Sequence, residues 1–136
     1  MTKPWLYNGD EFTSEMIGDS YGFVYVITNS VDNKRYIGKK LFWSSKTKMV
    51  KKKKKRFKVE SDWKEYFGSN KELQEDVARL GSDNFTRDIV RLCRSKGECS
   101  YYEAKMQFDK DVLTSDEYYN SWIMVKVHKN HLLTKK

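Results

Sequence analysis

The sequence predicts an α+β fold, a small three-stranded antiparallel sheet flanked by helices. Three observations carry that expectation. Two short runs rich in β-branched and aromatic residues, 21–28 and 33–38, are separated by turn formers. Two later segments, from Ser69 and from Glu98, carry apolar residues at helical spacing. A third β-rich run, 85–93, lies between them.

Taken in order, residues 1–20 are mixed and polar, with Trp5, Leu6 and Tyr7 as the apolar cluster, and read as an N-terminal arm. Tyr21 to Thr28 and Asn33 to Gly38 form a β-hairpin across Asn29-Ser30-Val31-Asp32. If Thr28 and Asn33 close a four-residue loop, Tyr25 and Tyr36 lie directly opposite each other on one face of the sheet. Two phenols so placed can orient a water or a phosphate oxygen, although a strand tyrosine more often only packs. Ser69-Asn70-Lys71-Glu72 has the form of a capping box, with Ser69 at the N-cap. Leu73, Val77 and Leu80 follow on one helical face, and Gly81 is the stop. Phe85 to Cys93 is the third strand. Glu98 to Val112 is the second helix, with Tyr101, Ala104, Phe108 and Val112 as the stripe facing the sheet and Glu103 at its rim. Tyr118 to Val127 is apolar enough for a final packed element of either type.

Charge is concentrated. From Lys39 to Lys58 there are 11 basic residues and no acidic ones, while the whole chain has net charge +8, so the rest is slightly acidic. A basic insertion at about 44–58 on an acidic body points to a polyanion; a solvated loop is the competing reading. Its lysines repel one another, so part of it is expected to lack order without a ligand. Phe42, Trp43 and Phe57 flank it as core residues or as stacking surfaces, with core preferred for Phe42. No apolar run is long enough to cross a membrane, and no secretion signal is evident. Cys93 and Cys99 are read as reduced thiols, since two cysteines so close, with no nearby histidine, suit neither a disulfide framework nor a zinc site. His128 and His131 are read as surface residues.

Gly22-Phe23-Val24-Tyr25-Val26-Ile27-Thr28-Asn29 with Asn33-Lys34-Arg35-Tyr36-Ile37-Gly38 resembles the paired motif of the GIY-YIG nucleases. Gly68 to Leu73, Gly81 to Phe85, Tyr101-Tyr102-Glu103-Ala104-Lys105 and Tyr118-Tyr119-Asn120 resemble that family's later motifs, in order, from Tyr21 to about Trp122. The form is most similar to the stand-alone nucleases of bacteriophage genomes. The resemblance implies an endonuclease that hydrolyses DNA phosphodiester bonds with one divalent metal, Mg²⁺ or Mn²⁺. It implies that Glu103 holds the metal, that Tyr25 and Tyr36 act on the attacking water, that Gly38 permits close backbone approach and that Asn120 buttresses the site. The family's phosphate-clamping arginine has only Lys46 at the usual distance, so its role is carried to Arg56, beyond the lysine run, and the family's histidine there has no counterpart. Lys39, Lys40, Lys46, Lys51, Lys52, Lys53, Lys54, Lys55 and Lys58 are expected to contact nucleic acid.

On this reading the chain divides into an arm (1–20), a nuclease domain (21–127) and a C-terminal tail (128–136), acting on DNA in the cytoplasm, of a host cell if phage-encoded. The oligomeric state stays open, a homodimer included. The competing classes are a non-catalytic nucleic-acid-binding protein on a degenerate nuclease fold, and an interaction protein whose lysines meet an acidic partner.

Overall fold

The computed structural model describes residues 2–132. Residues 133–136 of the expected C-terminal tail, and Met1 of the expected arm, lie outside the described residues. Among the described residues there are seven strands and two α-helices: β1 (Leu6–Tyr7), β2 (Asp10–Glu11), β3 (Gly22–Asn29), β4 (Arg35–Leu41), β5 (Trp43–Val50), β6 (Lys53–Glu60), α1 (Lys71–Leu80), β7 (Phe85–Cys93) and α2 (Lys96–Asp109).

The fold is α+β, but its main sheet has five strands rather than three, in the order β2-β1-β7-β3-β4. β3 pairs antiparallel with both β4 and β7, while β1 pairs parallel with β7. The additional strands come from the N-terminal segment. Trp5, Phe12 and Ile17 are buried there, so this segment is core rather than a loosely packed arm. Its short strands lack the alternating run that marks a strand in sequence.

One sheet face carries Phe23, Tyr25, Ile27, Phe85, Ile89 and Leu92, and packs against Trp5, Phe12, Phe42, Trp63, α1 through Leu73, and Tyr119. Phe42 is fully buried, as preferred from sequence. The other face carries Val24, Ile37 and Cys93, and packs against Cys99 and Met106 of α2 and against Val112. Ile89 and Leu92 are three residues apart yet share a face, because the β3–β7 register shifts at Val24/Tyr25. The bulge leaves Val90 exposed.

Several local expectations shift. The hairpin register is Tyr25↔Gly38 and Ile27↔Tyr36, so the two tyrosines are diagonal neighbours rather than directly opposite. The closing pair moves one residue along both strands: Asn29 N donates to Lys34 O at 2.8 Å, so the loop is residues 30–33, with Asn29 and Asp32 holding the turn. Asn29 Oδ1 accepts from Val31 N and Asp32 Oδ1 accepts from Lys34 N, with Asn33 at φ +63°. The shift is an even number of residues, so both tyrosines keep the same face.

The N-cap of α1 is Asn70, whose side chain accepts from Leu73 N, and not Ser69. In α2 the buried positions are Cys99, Ala104 and Gln107, whereas Tyr101 and Phe108 are exposed. The stripe is therefore rotated from the one read off the large apolar residues, and it takes in polar side chains. The lysine-rich insertion is a regular hairpin of β5 and β6, contrary to the expected disorder. Finally, 119–128 has no helix or strand, and Trp122, Met124 and Val125 are exposed rather than packed.

Candidate active site

The site lies along β4, the edge strand of the sheet. A cleft of about 390 Å³ is lined by Tyr25, Tyr36, Lys39, Lys40, Leu41, Trp43, Ser44, Ser61, Tyr66, Ser69 and Glu103. Tyr25, Tyr36 and Glu103, widely separated in sequence, thus meet in one place.

Tyr25 is almost fully buried, and its ring centroid is 6.2 Å from that of Tyr36. Gly38 makes this possible. A Cβ at Gly38 would lie within 2.7 Å of Tyr25 Cζ and 2.9 Å of Tyr36 Cε2, so the phenol of Tyr25 crosses bare backbone. The ring of Tyr66 meets that of Tyr25 edge-on, with centroids 6.1 Å apart. Burial, then the neighbouring Tyr66 and Tyr36, push the pKa of Tyr25 well above that of a free phenol. Burial raises that of Tyr36 as well, against an opposing hydrogen bond with Ser69 (Oη to Oγ 3.1 Å). Both phenols are therefore neutral at pH 7. Ser69 thus turns its hydroxyl to the cleft, while Asn70 caps α1.

Glu103 is one turn of α2 from both Cys99 and Gln107, on the side turned to the sheet. Its carboxylate faces Lys39 Nζ at 3.5 Å. Burial raises the pKa of Glu103, and Lys39 opposes the shift. Lys40, the next cation, lies 4.1 Å from the centroid of Tyr66 and pairs with Asp62 at 2.7 Å.

The edge of β4 is held from outside. Asn120 Oδ1 accepts from Ile37 N (3.0 Å), and its Nδ2 donates to Ile37 O (2.8 Å). Gln107 Nε2 donates to the same carbonyl (3.0 Å). Tyr119 N donates to Arg35 O, and Arg35 N donates to Glu117 O. Tyr119 itself bridges the buried Asn29 and Asp76 through its hydroxyl. Tyr36 and Gly38 flank Ile37, so this strand-like mimicry fixes the two residues that shape the cleft.

Arg56 does not line the cleft. It pairs with Thr47 on the exposed hairpin, four residues from the base pair Trp43↔Glu60, or roughly 13 Å along the strand. Lys46, Lys51, Lys52, Lys53, Lys54, Lys55 and Lys58 share that hairpin, whereas Lys39 and Lys40 belong to the cleft. Tyr66 and Ser69 were not legible as site residues. The loop 63–67 is brought in by Arg87 of β7, which donates to the carbonyls of Lys64, Tyr66 and Lys3 between the rings of Trp5 and Phe67.

Among the described residues no three His, Cys, Asp or Glu side chains form a metal-binding group, and Glu103 is the one carboxylate lining the cleft. That donor set fits a hard divalent ion that keeps most of its waters, and does not fit structural zinc. No helix among the described residues is long and apolar enough to cross a membrane.

Comparison with known proteins agrees with this geometry. Residues 5–123 match the family described as "Putative endonuclease segE, GIY-YIG domain". The chain is 28% identical over 100 residues to "Putative endonuclease segE" of Enterobacteria phage T4, covering 74% of this chain and 40% of that protein. The chain thus spans less than half the length of the curated relative it matches. No solved structure matches it. With a family match spanning nearly all of its length, the chain belongs to the GIY-YIG endonuclease family of the SegE type.

Proposed function

We propose that the protein is a metal-dependent, phage-type endonuclease that hydrolyses DNA phosphodiester bonds at the β4 cleft. The observation that carries this reading is the convergence of Tyr25, Tyr36 and Glu103 on one cleft beside Lys39 and Lys40. Glu103 would hold one Mg²⁺ or Mn²⁺, which when bound stabilises charge on the phosphate and the leaving oxygen.

The chain's own groups supply the rest. Neutral phenols both donate and accept hydrogen bonds. Tyr25 and Tyr36 therefore orient a water or a non-bridging oxygen. Their raised pKa values argue against either being a resting phenolate base. Lys39 and Lys40 neutralise phosphate charge within the cleft, a role better placed there than on the distant Arg56. Lys39 faces the Glu103 carboxylate at 3.5 Å and would be released to neutralise a substrate phosphate if Glu103 held the cation.

The test is nicking of supercoiled plasmid with Mg²⁺ or Mn²⁺. Wild type cuts and loses activity with chelator. Glu103→Ala retains its fold and DNA binding but loses at least about a hundredfold in rate. Intact plasmid with wild type across metals and substrates would leave the non-catalytic DNA-binding reading in its place.

A further inference from the structure

The β5–β6 hairpin poses a separate question. From Lys46 to Lys58 it carries nine basic residues and no acidic one. Among the described residues none of these nine is salt-bridged. Strand alternation spreads them over both faces. Lys54, Arg56 and Lys58 lie on one, opposite Met49, Thr47 and Ser45; Lys46, Lys48, Lys53 and Lys55 lie on the other. Lys51 and Lys52 form the tip. Lys48 and Lys55 are directly opposed, a pairing of like charges that weakens an isolated ribbon.

A ribbon meant to lie flat on a polyanion needs cations on one face. Cations on both faces and at the tip suit a slot walled by phosphates on both sides. The hairpin is about 26 Å long, with strands about 4.8 Å apart. With side chains it fills a groove about 12 Å wide, and it is too broad for one of about 6 Å. A stacking platform for single strands is poorly supported. The ring of Phe57 is covered by Lys48 (5.3 Å) and that of Trp43 by Lys58 (5.3 Å). The base of the ribbon is anchored: Glu60 accepts from Ser14 and Trp63, and Ser61 Oγ donates to Leu41 O. Trp43, Ser44 and Ser61 there also line the cleft.

We infer that the β5–β6 hairpin inserts lengthwise into the major groove of duplex DNA and places the β4 cleft at a phosphate beside that groove. The inference rests on the DNA-nuclease reading for its substrate but not on catalysis. It makes the substrate double-stranded, and it gives Arg56 a groove contact rather than a place at the scissile phosphate.

The experiment is binding of wild-type protein to fluorescent DNA without divalent metal, across a salt series, so that cleavage does not enter. Three outcomes are expected. Duplex binds at least about tenfold tighter than either single strand. Bulky 5-substituted pyrimidines, which fill the major groove, abolish that margin, while a minor-groove ligand does not. Lys54→Gln/Arg56→Gln/Lys58→Gln and Lys46→Gln/Lys48→Gln/Lys53→Gln/Lys55→Gln each weaken binding, with log K against log salt flattened by roughly 0.9 per charge removed. Loss from one face alone, equal binding of single strands, competition by the minor-groove ligand, or no DNA binding at low salt each overturns the inference. Plasmid nicking separates the two ideas. Cutting with hairpin variants that bind normally sinks the ribbon alone, whereas ribbon-dependent binding without cutting sinks the nuclease alone.

Discussion

Gly38 leaves no room for a side chain, because Tyr25 Cζ and Tyr36 Cε2 occupy the space it would take. Gly38→Ala is expected to cost about 1–3 kcal/mol through overpacking, and to lower cutting further by displacing both phenols. Urea unfolding read beside nicking rates checks this; a variant of wild-type stability and rate would show that the phenols move freely. Glu103 gives a pH prediction. Burial raises its folded pKa against the pull of Lys39. Its contribution to stability is therefore fully present below the ordinary carboxylate range and is lost as pH rises through the raised pKa. The ionised form that a cation would need predominates only above that point. The acid limb of the pH–rate profile should lie above the ordinary value of 4.5. Lys39→Gln removes the lowering influence and should move that limb further up. A limb that stays in place in Lys39→Gln would detach Glu103 from the rate.

At the scale of elements, β4 depends on a segment that is not a strand. Asn120→Ala leaves the N–H of Ile37 without its partner and removes one of two donors to its carbonyl, at an expected cost of about 1–3 kcal/mol. Hydrogen exchange should show the loss first in β4, and uniform change across the sheet would count against a local role. The hairpin tip holds Lys51 and Lys52 at φ +51° and +65°, a conformation that Asn and Gly adopt with less strain. Replacing the pair by Asn-Gly should raise protection of the β5–β6 amides while flattening the salt dependence of DNA binding by about 2 in slope. Lower protection would mean that the lysines hold the turn. Here the sequence misleads for a physical reason: a lysine run without Asn-Gly reads as a solvated loop, because the β-pattern of 43–50 and 53–60 is masked by charge on both faces. Ser69 has the composition of an N-cap, but its hydroxyl meets that of Tyr36, and Asn70 caps instead.

Across the whole molecule, β3, β7 and the two helices were legible as elements, but the face that α2 buries was not, since it takes in Cys99 and Gln107 and leaves Phe108 exposed. The motif residues Tyr25, Tyr36, Glu103 and Asn120 could be named from family resemblance, whereas Tyr66 and Ser69 could not. Their presence depends on Arg87, Trp5 and the packing of distant segments, which no local pattern encodes. The N-terminal segment shows this best. Trp5 Nε1 donates to Trp63 O at 2.6 Å, and its ring meets Phe23 at 5.0 Å and Tyr25 at 5.2 Å edge-on. Arg87 stacks on it at 4.7 Å while binding the carbonyls of Lys3, Lys64 and Tyr66. Burial lowers the pKa of Arg87 to about 10, so it remains cationic at neutral pH and needs those carbonyls. The segment thus ties the loop bearing Tyr66 to the back of Tyr25, and the family match itself begins at residue 5. Trp5→Ala should cost about 3–5 kcal/mol, a large share of the roughly 5–15 kcal/mol that holds a domain together. Trp5→Phe should recover part of the stability by restoring the ring, but not the bond to Trp63. If the segment is integral, removal of residues 1–12 abolishes cooperative unfolding and cutting together. A truncated protein that unfolds at the wild-type urea midpoint and still nicks plasmid would show instead that the nuclease unit begins at β3.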